Sequence, residues 1–329
     1  MKILAVFLPN RGCKNKCVFC SQKAIVGSDE PMSLEELDEL VGRYLTTTDR
    51  FEIAFYGGTF TALSREEQTY YLDWAEKYIR FGVCSGIRLS TRPDEIDEEK
   101  AKFLKTCGVS FVELGVQSFD DEVLKASGRG YTHDDVVRAC QTLKRCGIDF
   151  GIHLMIGLIG DDTNKDILSA WETVKLGAKT CRIHPTLVLK DSPLESIYER
   201  GEYTPMNLQE AIEICSDMLA VLESHNVQAI RLGLYVPTEL RKNIVAGPYH
   251  PRFGELVRIR LIEKVAEFLK PDIVLHTQKE SSWVIKLPLL KVESDRFGFV
   301  VHNNFVTWKD ALKCYADKLL QEVIACSTS

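Results

Sequence analysis

The chain has 329 residues, of which 45% are hydrophobic and 27% are charged, and its formal net charge is −6. This composition excludes the fibrous and disordered classes and is sufficient for one large α/β domain with an appendage. The acidic balance also gives no global basic footprint for nucleic acid, although a local basic patch would be hidden in the sum.

The N-terminal segment, residues 1–8, is apolar apart from a single lysine and is predicted to be the first strand. A Pro-Asn-Arg-Gly turn follows it at once, so the segment does not have the form of a secretory leader. No stretch of the chain reaches the ~18 apolar residues of a membrane span. We therefore predict a cytoplasmic protein that has no membrane partner.

Three cysteines, Cys13, Cys17 and Cys20, follow this turn with the spacing C-x3-C-x2-C. Three thiolates leave one iron of a 4Fe-4S cluster without a protein ligand, so that a substrate can bind there. A structural zinc site is one alternative, although it would need a fourth ligand. A helix face on which buried cysteines pack as small hydrophobic residues is another. The neighbouring lysines favour a loop, and we predict a cluster site.

The three cysteines, with Phe19 directly before the last of them, resemble the signature of the radical S-adenosylmethionine (SAM) enzymes. The resemblance implies a 4Fe-4S cluster held by Cys13, Cys17 and Cys20, whose fourth iron is chelated by the amino and carboxylate groups of SAM. It also implies that one electron cleaves SAM to methionine and a 5′-deoxyadenosyl radical. A reducing partner of the flavodoxin or ferredoxin type is therefore expected.

Beyond this loop, short apolar runs alternate with amphipathic segments, which is the pattern of βα units and a parallel sheet. Ser33 with Glu36, and Ser64 with Glu67, have the spacing of a capping box at the start of a helix. Further strands are predicted at residues 51–56, 87–90, 110–116, 149–156 and 180–189, and helices at 33–45, 64–79, 97–106, 132–146, 164–176 and 207–224.

Six such units are too few for a closed eight-stranded barrel. They suit the open barrel of the radical SAM enzymes, so we predict an α/β fold in which residues 1–235 form a partial (β/α)6 TIM-like barrel. Its site is expected at the carboxyl ends of the strands. Residues 236–329 are predicted to be a C-terminal α+β appendage that covers the barrel, with helices at 252–269 and 307–324 and strands at 272–276, 283–287 and 297–301.

A turn with paired glycines follows the second strand, at Gly57, Gly58 and Thr59. Such glycines allow backbone carbonyls to approach a ligand closely. The radical SAM enzymes usually carry Gly-Gly-Glu here, and in them this segment binds the ammonium group of SAM. The resemblance therefore implies cofactor contacts from the carbonyls of this turn, whereas Thr59 replaces the usual carboxylate.

Polar residues mark the ends of the third and fourth strands, at Ser90, Glu113 and Gln117, and Arg129 follows twelve residues after Gln117. This arrangement resembles the coproporphyrinogen-oxidase-like and Elongator-like branches of the family, in which matching Gln and Arg residues hold SAM. The resemblance implies that Arg129 forms a bidentate pair with the methionine carboxylate and that Ser90 and Glu113 lie near the ribose. An exposed arginine on a helix turn is the alternative for Arg129.

The fifth strand carries His153 and ends just before Gly157, in a Met-Ile-Gly-Leu-Ile-Gly run. This run resembles the family's Gly-x-Ile-x-Gly segment, which lies along the adenine, and so implies a cofactor contact at Gly157. His153 takes the place of an acidic or amide residue that contacts SAM elsewhere in the family. A histidine packed in the core is the alternative.

The runs at residues 56–60, 113–118 and 155–158 are most similar to the radical domain of the Elongator catalytic subunit and its short prokaryotic relatives, over roughly residues 1–235. The first cysteine gap is shorter here than in the Elongator subunit. That subunit also carries a C-terminal acetyltransferase domain, whereas the remaining ~95 residues here are too few for one and show no Gly-rich acyl-CoA loop. We therefore expect no acetyl-CoA partner.

The sequence thus predicts a radical SAM enzyme of unassigned substrate, for which the Elongator resemblance suggests tRNA. One alternative is a non-catalytic iron-sulfur or RNA-binding relative, which Thr59 favours. Another is a coproporphyrinogen-oxidase-like radical enzyme, which the same SAM-site residues permit. The cationic side chains that would serve an RNA are Arg11, Lys14, Lys16, Arg241, Lys242, Arg252, Arg258 and Arg260.

Overall fold

The computed structural model describes residues 2–14, 16–28 and 30–327, and Met1 of the predicted first strand lies outside these ranges. The strands are β1 (Lys2–Phe7), β2 (Phe51–Tyr56), β3 (Cys84–Thr91), β4 (Val109–Gln117), β5 (Asp149–Ile156), β6 (Thr180–Pro185), β7 (Val188–Leu189), β8 (Gln228–Leu232), β9 (Ile244–Ala246), β10 (Ile273–His276), β11 (Leu290–Glu293), β12 (Gly298–Val301) and β13 (Asn304–Thr307). The helices are α1 (Gln22–Val26), α2 (Leu34–Leu45), α3 (Arg65–Arg80), α4 (Glu98–Thr106), α5 (Asp121–Ala126), α6 (His133–Arg145), α7 (Thr163–Lys175), α8 (Pro193–Glu199), α9 (Leu208–Ser224), α10 (Phe253–Leu269), α11 (Ser281–Val284) and α12 (Trp308–Ser327).

Seven strands form one curled parallel sheet in the order β1-β2-β3-β4-β5-β6-β8. The predicted α/β fold with a partial TIM-like barrel is thereby confirmed. All six predicted strands are present, and β8 adds a seventh that the sequence analysis does not assign. Gln228 and Arg231 interrupt this short segment, so it does not stand out as an apolar run.

Two helices begin where their capping boxes predict. The Ser33 and Ser64 side chains accept hydrogen bonds from the backbone N–H groups of Glu36 and Glu67, and both glutamates accept from the cap in return. Each box satisfies two backbone donors that the first helical turn would otherwise leave unpaired. In the ranges that the structure describes, no helix is long and apolar enough to cross a membrane.

Side chains alternate across the sheet with the period of two that is typical of strands. On β2, Ile53 and Phe55 are fully buried. The Phe55 ring lies 5.7 Å from that of Tyr71 and 6.4 Å from that of Trp74, both on α3. The core therefore lies between this face of the sheet and the helices, and the opposite face is left for residues such as Glu52.

The chain divides into two compact units. The first comprises Met1–His153, Leu187–Thr204 and Val236–Ala246. The second comprises Leu154–Thr186, Pro205–Tyr235 and Gly247–Ser329. The predicted division into residues 1–235 and 236–329 stays a prediction.

Later segments of the first unit brace the cysteine loop and the helix after it. The backbone N–H of Leu194 donates to the Val18 carbonyl at 2.8 Å. The Asn243 side-chain amide donates to the Ala24 carbonyl at 3.0 Å. Because these contacts come from distant parts of the chain, the position of the loop depends on the fold of the whole unit.

Two predicted strands differ from the structure. The one predicted at 180–189 ends as β6 at Pro185, and Val188–Leu189 pairs antiparallel with β9 instead. The strand predicted at 283–287 is wrong, because Ser281–Val284 is helical and β11 joins the second unit's sheet, whose order is β11-β10-β12-β13.

The helix α11 follows a hydrogen-bonded turn at residues 277–280. The backbone N–H of Thr277 donates to the Glu280 carboxylate at 3.2 Å, and the N–H of Trp283 donates to the Glu280 carbonyl at 2.8 Å. Glu280 is the N-cap of α11, and its side chain makes no capping hydrogen bond to the helix. A helix of only four residues is too short for hydrophobic periodicity to distinguish it from a strand.

Candidate functional site

The three predicted cluster cysteines lie together on the loop between β1 and α1. Cys17 is buried, Cys20 is partly buried and Cys13 is exposed. Burial, and then the neighbouring thiols, raise the pKa of Cys20 to about 11. Within the described ranges, no three His, Cys, Asp or Glu side chains stand in the arrangement of a preformed metal site. The three thiols thus share one loop but are not brought into a metal-binding arrangement, so their ligation of a cluster stays a prediction.

Each of the three sulfurs has a protein hydrogen-bond donor or hydroxyl beside it. Arg129 Nη1 donates to Cys17 Sγ at 2.9 Å, and the Thr59 hydroxyl lies 3.4 Å from Cys13 Sγ. The Gln22 amide reaches Cys20 Sγ at a longer 3.9 Å. Hydrogen bonds to the sulfurs are one of the means by which proteins stabilise iron-sulfur clusters and set their potentials. These surroundings therefore fit thiolates that bind a cluster.

The paired glycines after β2 bring that turn against the cysteine loop. A Cβ on Gly58 would lie 2.3 Å from the Arg11 carbonyl oxygen and 2.8 Å from that of Leu8, and Gly57 has a φ of +90°. The Gly57 carbonyl accepts from the Asn10 N–H at 3.0 Å. Glycine is therefore required at these positions because two backbones pack closely there. This requirement was not predicted from the sequence.

Gly12 is the counterpart of Gly58 on the cysteine loop. A Cβ at this position would lie 2.2 Å from the Thr59 carbonyl oxygen. The Thr59 N–H donates to the Arg11 carbonyl at 2.8 Å, and the Thr59 residue is only 1% exposed. The side chain that replaces the family's glutamate is therefore directed to the cysteine loop and not to solvent.

Arg129 is buried, so the alternative of an exposed arginine is excluded. Its side chain donates to the Tyr131 hydroxyl at 2.8 Å, to Cys17 Sγ at 2.9 Å and to the Gly115 carbonyl. A guanidinium has five N–H groups, so these three contacts leave further N–H donors for a ligand. Tyr131, which the sequence analysis missed, also donates to the Gly115 carbonyl at 2.7 Å and so ties Arg129 to β4.

Gln117 ends β4 with an unpaired acceptor. Its side chain is 6% exposed, and its Oε1 is a buried atom without a hydrogen-bond partner in the described part of the chain. Its φ of +74° is unusual for a residue other than glycine. A buried acceptor left unpaired costs about 1–3 kcal/mol. This atom therefore fits a ligand that brings an N–H donor, such as the ammonium of SAM.

A buried polar network lies on the sheet face opposite the helices. Arg88 donates to Glu52 at 3.1 Å and to Glu113 at 3.1 Å, and the Tyr56 hydroxyl donates to Glu113 at 2.6 Å. Glu113 is thus held by protein groups of two neighbouring strands, while Ser90 lies beside it in register. The other three residues, Glu52, Tyr56 and Arg88, were not predicted as site residues from the sequence. Their signal is a polar side chain at alternate positions of otherwise apolar strands.

His153 and Gly157 lie at the end of β5 in different units. His153 is partly buried in the first unit, and Gly157 follows the strand in the second. Gly157 has a φ of +69°, and a Cβ there would lie 2.6 Å from Met206 Cε. Left-handed backbone favours glycine at this position. Both residues stay predicted cofactor contacts.

Several cations predicted to serve an RNA already have carboxylate partners. Arg11 pairs with Glu67, and Lys14 lies 2.6 Å from Glu95. In the second unit the same holds for three arginines of α10 and its start, in the pairs Arg252–Glu255, Arg258–Glu223 and Arg260–Glu213. A polyanion would have to displace these carboxylates to use the cations.

Two protein-family models match the chain. The model described as the Radical SAM superfamily matches residues 7–170, and the one described as the Radical_SAM C-terminal domain matches residues 178–263. The chain belongs to the radical SAM superfamily. Membership supports radical SAM chemistry and implies both SAM and a 4Fe-4S cluster.

Radical SAM relatives include a tRNA uridine(34) acetyltransferase of Methanocaldococcus jannaschii, which is 28% identical in an alignment of 298 positions that covers 78% of this chain and 54% of that protein. An uncharacterized protein of the same archaeon is 26% identical in an alignment of 269 positions that covers 80% of this chain and 78% of that one. A solved structure of archaeal Elp3 from Methanocaldococcus infernus, with an N-terminal deletion, matches with a TM-score of 0.65 and 25% identity, covering 80% of this chain and 63% of that chain.

These matches confirm the predicted resemblance to the Elongator radical domain. The chain spans about half the length of the curated acetyltransferase that it matches. The activity and substrates of the longer radical SAM relatives are therefore considered below as proposals for this chain.

Proposed function

We propose that this radical SAM protein cleaves SAM reductively at a 4Fe-4S cluster ligated by Cys13, Cys17 and Cys20. When bound, the cluster supplies the electron that converts SAM to methionine and a 5′-deoxyadenosyl radical. The observation that carries the proposal is the buried Arg129, which contacts the Cys17 sulfur and keeps further N–H donors. A cationic fork beside the cluster loop is suited to a carboxylate.

The chain's own residues have separate tasks in binding SAM. Arg129 pairs with the methionine carboxylate, and Gln117 Oε1 accepts from the ammonium together with the carbonyls of Gly57 and Gly58. The Gly57 carbonyl retains a second lone pair beside its bond from Asn10. Ser90 and Glu113 are assigned to the ribose, and His153 and Gly157 to the adenine end.

Burial favours the charge pairs in this arrangement. Arg129 and Gln117 are both 6% exposed or less, so water competes weakly for their hydrogen bonds. A charge-assisted hydrogen bond is about twice as strong as one between neutral groups. These residues therefore orient SAM, while a separate reducing protein of the flavodoxin or ferredoxin type supplies the electron.

Anaerobic reconstitution followed by addition of SAM tests the proposal. We expect SAM to change the EPR spectrum of the reduced cluster, because its amino and carboxylate groups bind the open iron. Reduction with dithionite is then expected to yield 5′-deoxyadenosine. A cluster whose spectrum does not respond to SAM, with no nucleoside product, would establish the non-catalytic alternative instead.

A tRNA is our proposal for the substrate. Its support is that the relatives matched over most of this chain include tRNA uridine(34) acetyltransferases. Use of acetyl-CoA does not belong to the proposal, and the expectation of no such partner stays a prediction. The ion pairs of Arg11 and Lys14 must exchange their carboxylates for phosphates when the RNA binds.

The affinity for tRNA is expected to fall steeply with salt, because neutralised phosphates release counterions. With three such phosphates, the fall between 50 and 200 mM salt would be about fortyfold. At a fixed salt concentration, Lys16→Glu, a change beside the cluster cysteines, should bind tRNA more weakly than the parent. Lys175→Glu makes the same charge change on α7, where Lys175 already pairs with Glu172, and should have little effect. Binding that is absent at 50 mM salt, or unchanged at 200 mM, would leave a small-molecule substrate.

A further inference from the structure

Thr59 occupies the position at which the family usually has a glutamate, and its side chain has a fixed and buried place. The residue is 1% exposed. Its backbone N–H donates to Arg11, and its carbonyl accepts from the N–H of Ala62 at 3.0 Å. Both backbone groups are therefore engaged, and the hydroxyl is held 3.4 Å from Cys13 Sγ.

The chemistry of a bound cluster decides the direction of this contact. A cysteine ligates iron as the thiolate, which has no proton to donate. The hydroxyl of Thr59 must then be the donor and the Cys13 sulfur the acceptor. A glutamate carboxylate, being an acceptor when ionised, cannot make this bond. With threonine in place of glutamate, the side chain thus donates to the Cys13 sulfur, whereas the usual glutamate would accept from the ammonium of SAM.

We propose that Thr59 is a positioning residue of the cluster, which donates an O–H···S hydrogen bond to Cys13 and favours the reduced state. The proposal rests on the proposed function in that it requires the cluster to be bound. Reduction adds negative charge to the sulfurs, so a donor stabilises the reduced form more than the oxidised form. Thr59 then adjusts the reduction potential of the cluster, and its presence does not indicate a protein that has lost SAM cleavage.

The contacts of the other sulfurs are consistent with this assignment. The donor to Cys17 is a guanidinium at 2.9 Å, and the donor to Cys20 is an amide at 3.9 Å. Arg129 also serves the proposed carboxylate site, so its replacement would mix two effects. Thr59 carries no charge, and its hydroxyl can be removed with almost no change of shape.

The test is an EPR-monitored redox titration of the reconstituted protein and its Thr59→Val variant. Valine keeps the shape and lacks the hydroxyl. At a fixed applied potential we expect the ratio of reduced to oxidised cluster to fall roughly threefold to tenfold, where tenfold corresponds to about 59 mV for one electron. Thr59→Ser, which keeps the hydroxyl, should return the potential towards that of the parent.

Thr61 provides a matched control. It is also 1% exposed, but its hydroxyl lies 2.6 Å from that of Thr91 and not beside a sulfur. Thr61→Val should therefore leave the midpoint potential unchanged. An equal shift in Thr59→Val and Thr61→Val would show a general packing effect and overturn the proposal.

Iron content makes each outcome decisive. If Thr59→Val keeps its iron and has the midpoint potential of the parent, Thr59 does not act on the cluster, although the parent can still cleave SAM. If Thr59→Val and Thr59→Ala both lose iron while Thr59→Ser retains it, the hydroxyl bond positions Cys13, which supports the proposal. A parent protein that holds a cluster but does not cleave SAM would contradict the proposed function and leave this test valid.

Discussion

A Cys17→Ala protein, purified and reconstituted without oxygen, is expected to lack the 4Fe-4S cluster. Cys17 is the middle cysteine of the loop and is 8% exposed. Its loss leaves two thiolates where the cluster needs three protein ligands. Iron and sulfide analysis, with the visible absorption of the cluster, should therefore show near-complete loss, and SAM cleavage should disappear with it.

Cys84→Ala is the matched control for this change. Cys84 is also buried, at 2% exposure, but it begins β3 at the opposite end of the strand from Thr91. The same atoms are removed in both variants, so a difference in iron content reports ligation and not packing. A Cys17→Ala protein that retained full iron, or a parent that held zinc after anaerobic purification, would contradict the cluster assignment.

Arg129→Ala is expected to keep its iron and to lose most of its affinity for SAM. Removing one partner of a buried charge pair costs about 2–5 kcal/mol, which is roughly a thirtyfold to several-thousandfold loss of affinity. All three cysteines remain, so the cluster should still form. Calorimetry on the oxidised, reconstituted protein measures the affinity without requiring turnover.

Tyr131→Phe distinguishes the effect of the Arg129 charge from the effect of its position. This variant removes the hydroxyl that accepts from Arg129 at 2.8 Å and donates to Gly115, but it keeps the guanidinium. We expect a smaller loss of SAM affinity, because the charge is present and only less well held. Arg129→Ala protein with intact iron that binds SAM as tightly as the parent would remove Arg129 from the cofactor site.

The sequence predicts those features of the fold that depend on local interactions. The capping boxes of Ser33 and Ser64 set the starts of α2 and α3, and short apolar runs mark strands such as β2. The strand at residues 228–232 could not be assigned because its stability comes from pairing with β6, beyond its own side chains. The helix at residues 281–284 could not be predicted because four residues are too few for the helical period to distinguish them from a strand.

In the candidate site, too, local features are predictable from the sequence and long-range contacts are not. The spacing of Cys13, Cys17 and Cys20 is visible in the sequence, because all three lie within one loop. The contact between Arg129 and Cys17 joins residues 112 positions apart, so only the folded chain reveals it. Likewise, the motif indicates that Gly58 is needed, but the carbonyl that excludes a side chain there belongs to Arg11.

The close approach of Gly12 to the Thr59 carbonyl, and of Gly58 to the Arg11 carbonyl, links any motion of the cysteine loop to that of the turn after β2. Where two backbones touch without intervening side chains, close packing transmits a shift of one to the other. A ligand that pulls on the carbonyls at Gly57 and Gly58 would thus displace the loop that holds Cys13, and a change at the cluster would be transmitted in the opposite direction. Energetic coupling of this kind is reciprocal, so the loading of the cluster should change the affinity for a ligand at this turn by the same factor by which that ligand changes the affinity for the cluster.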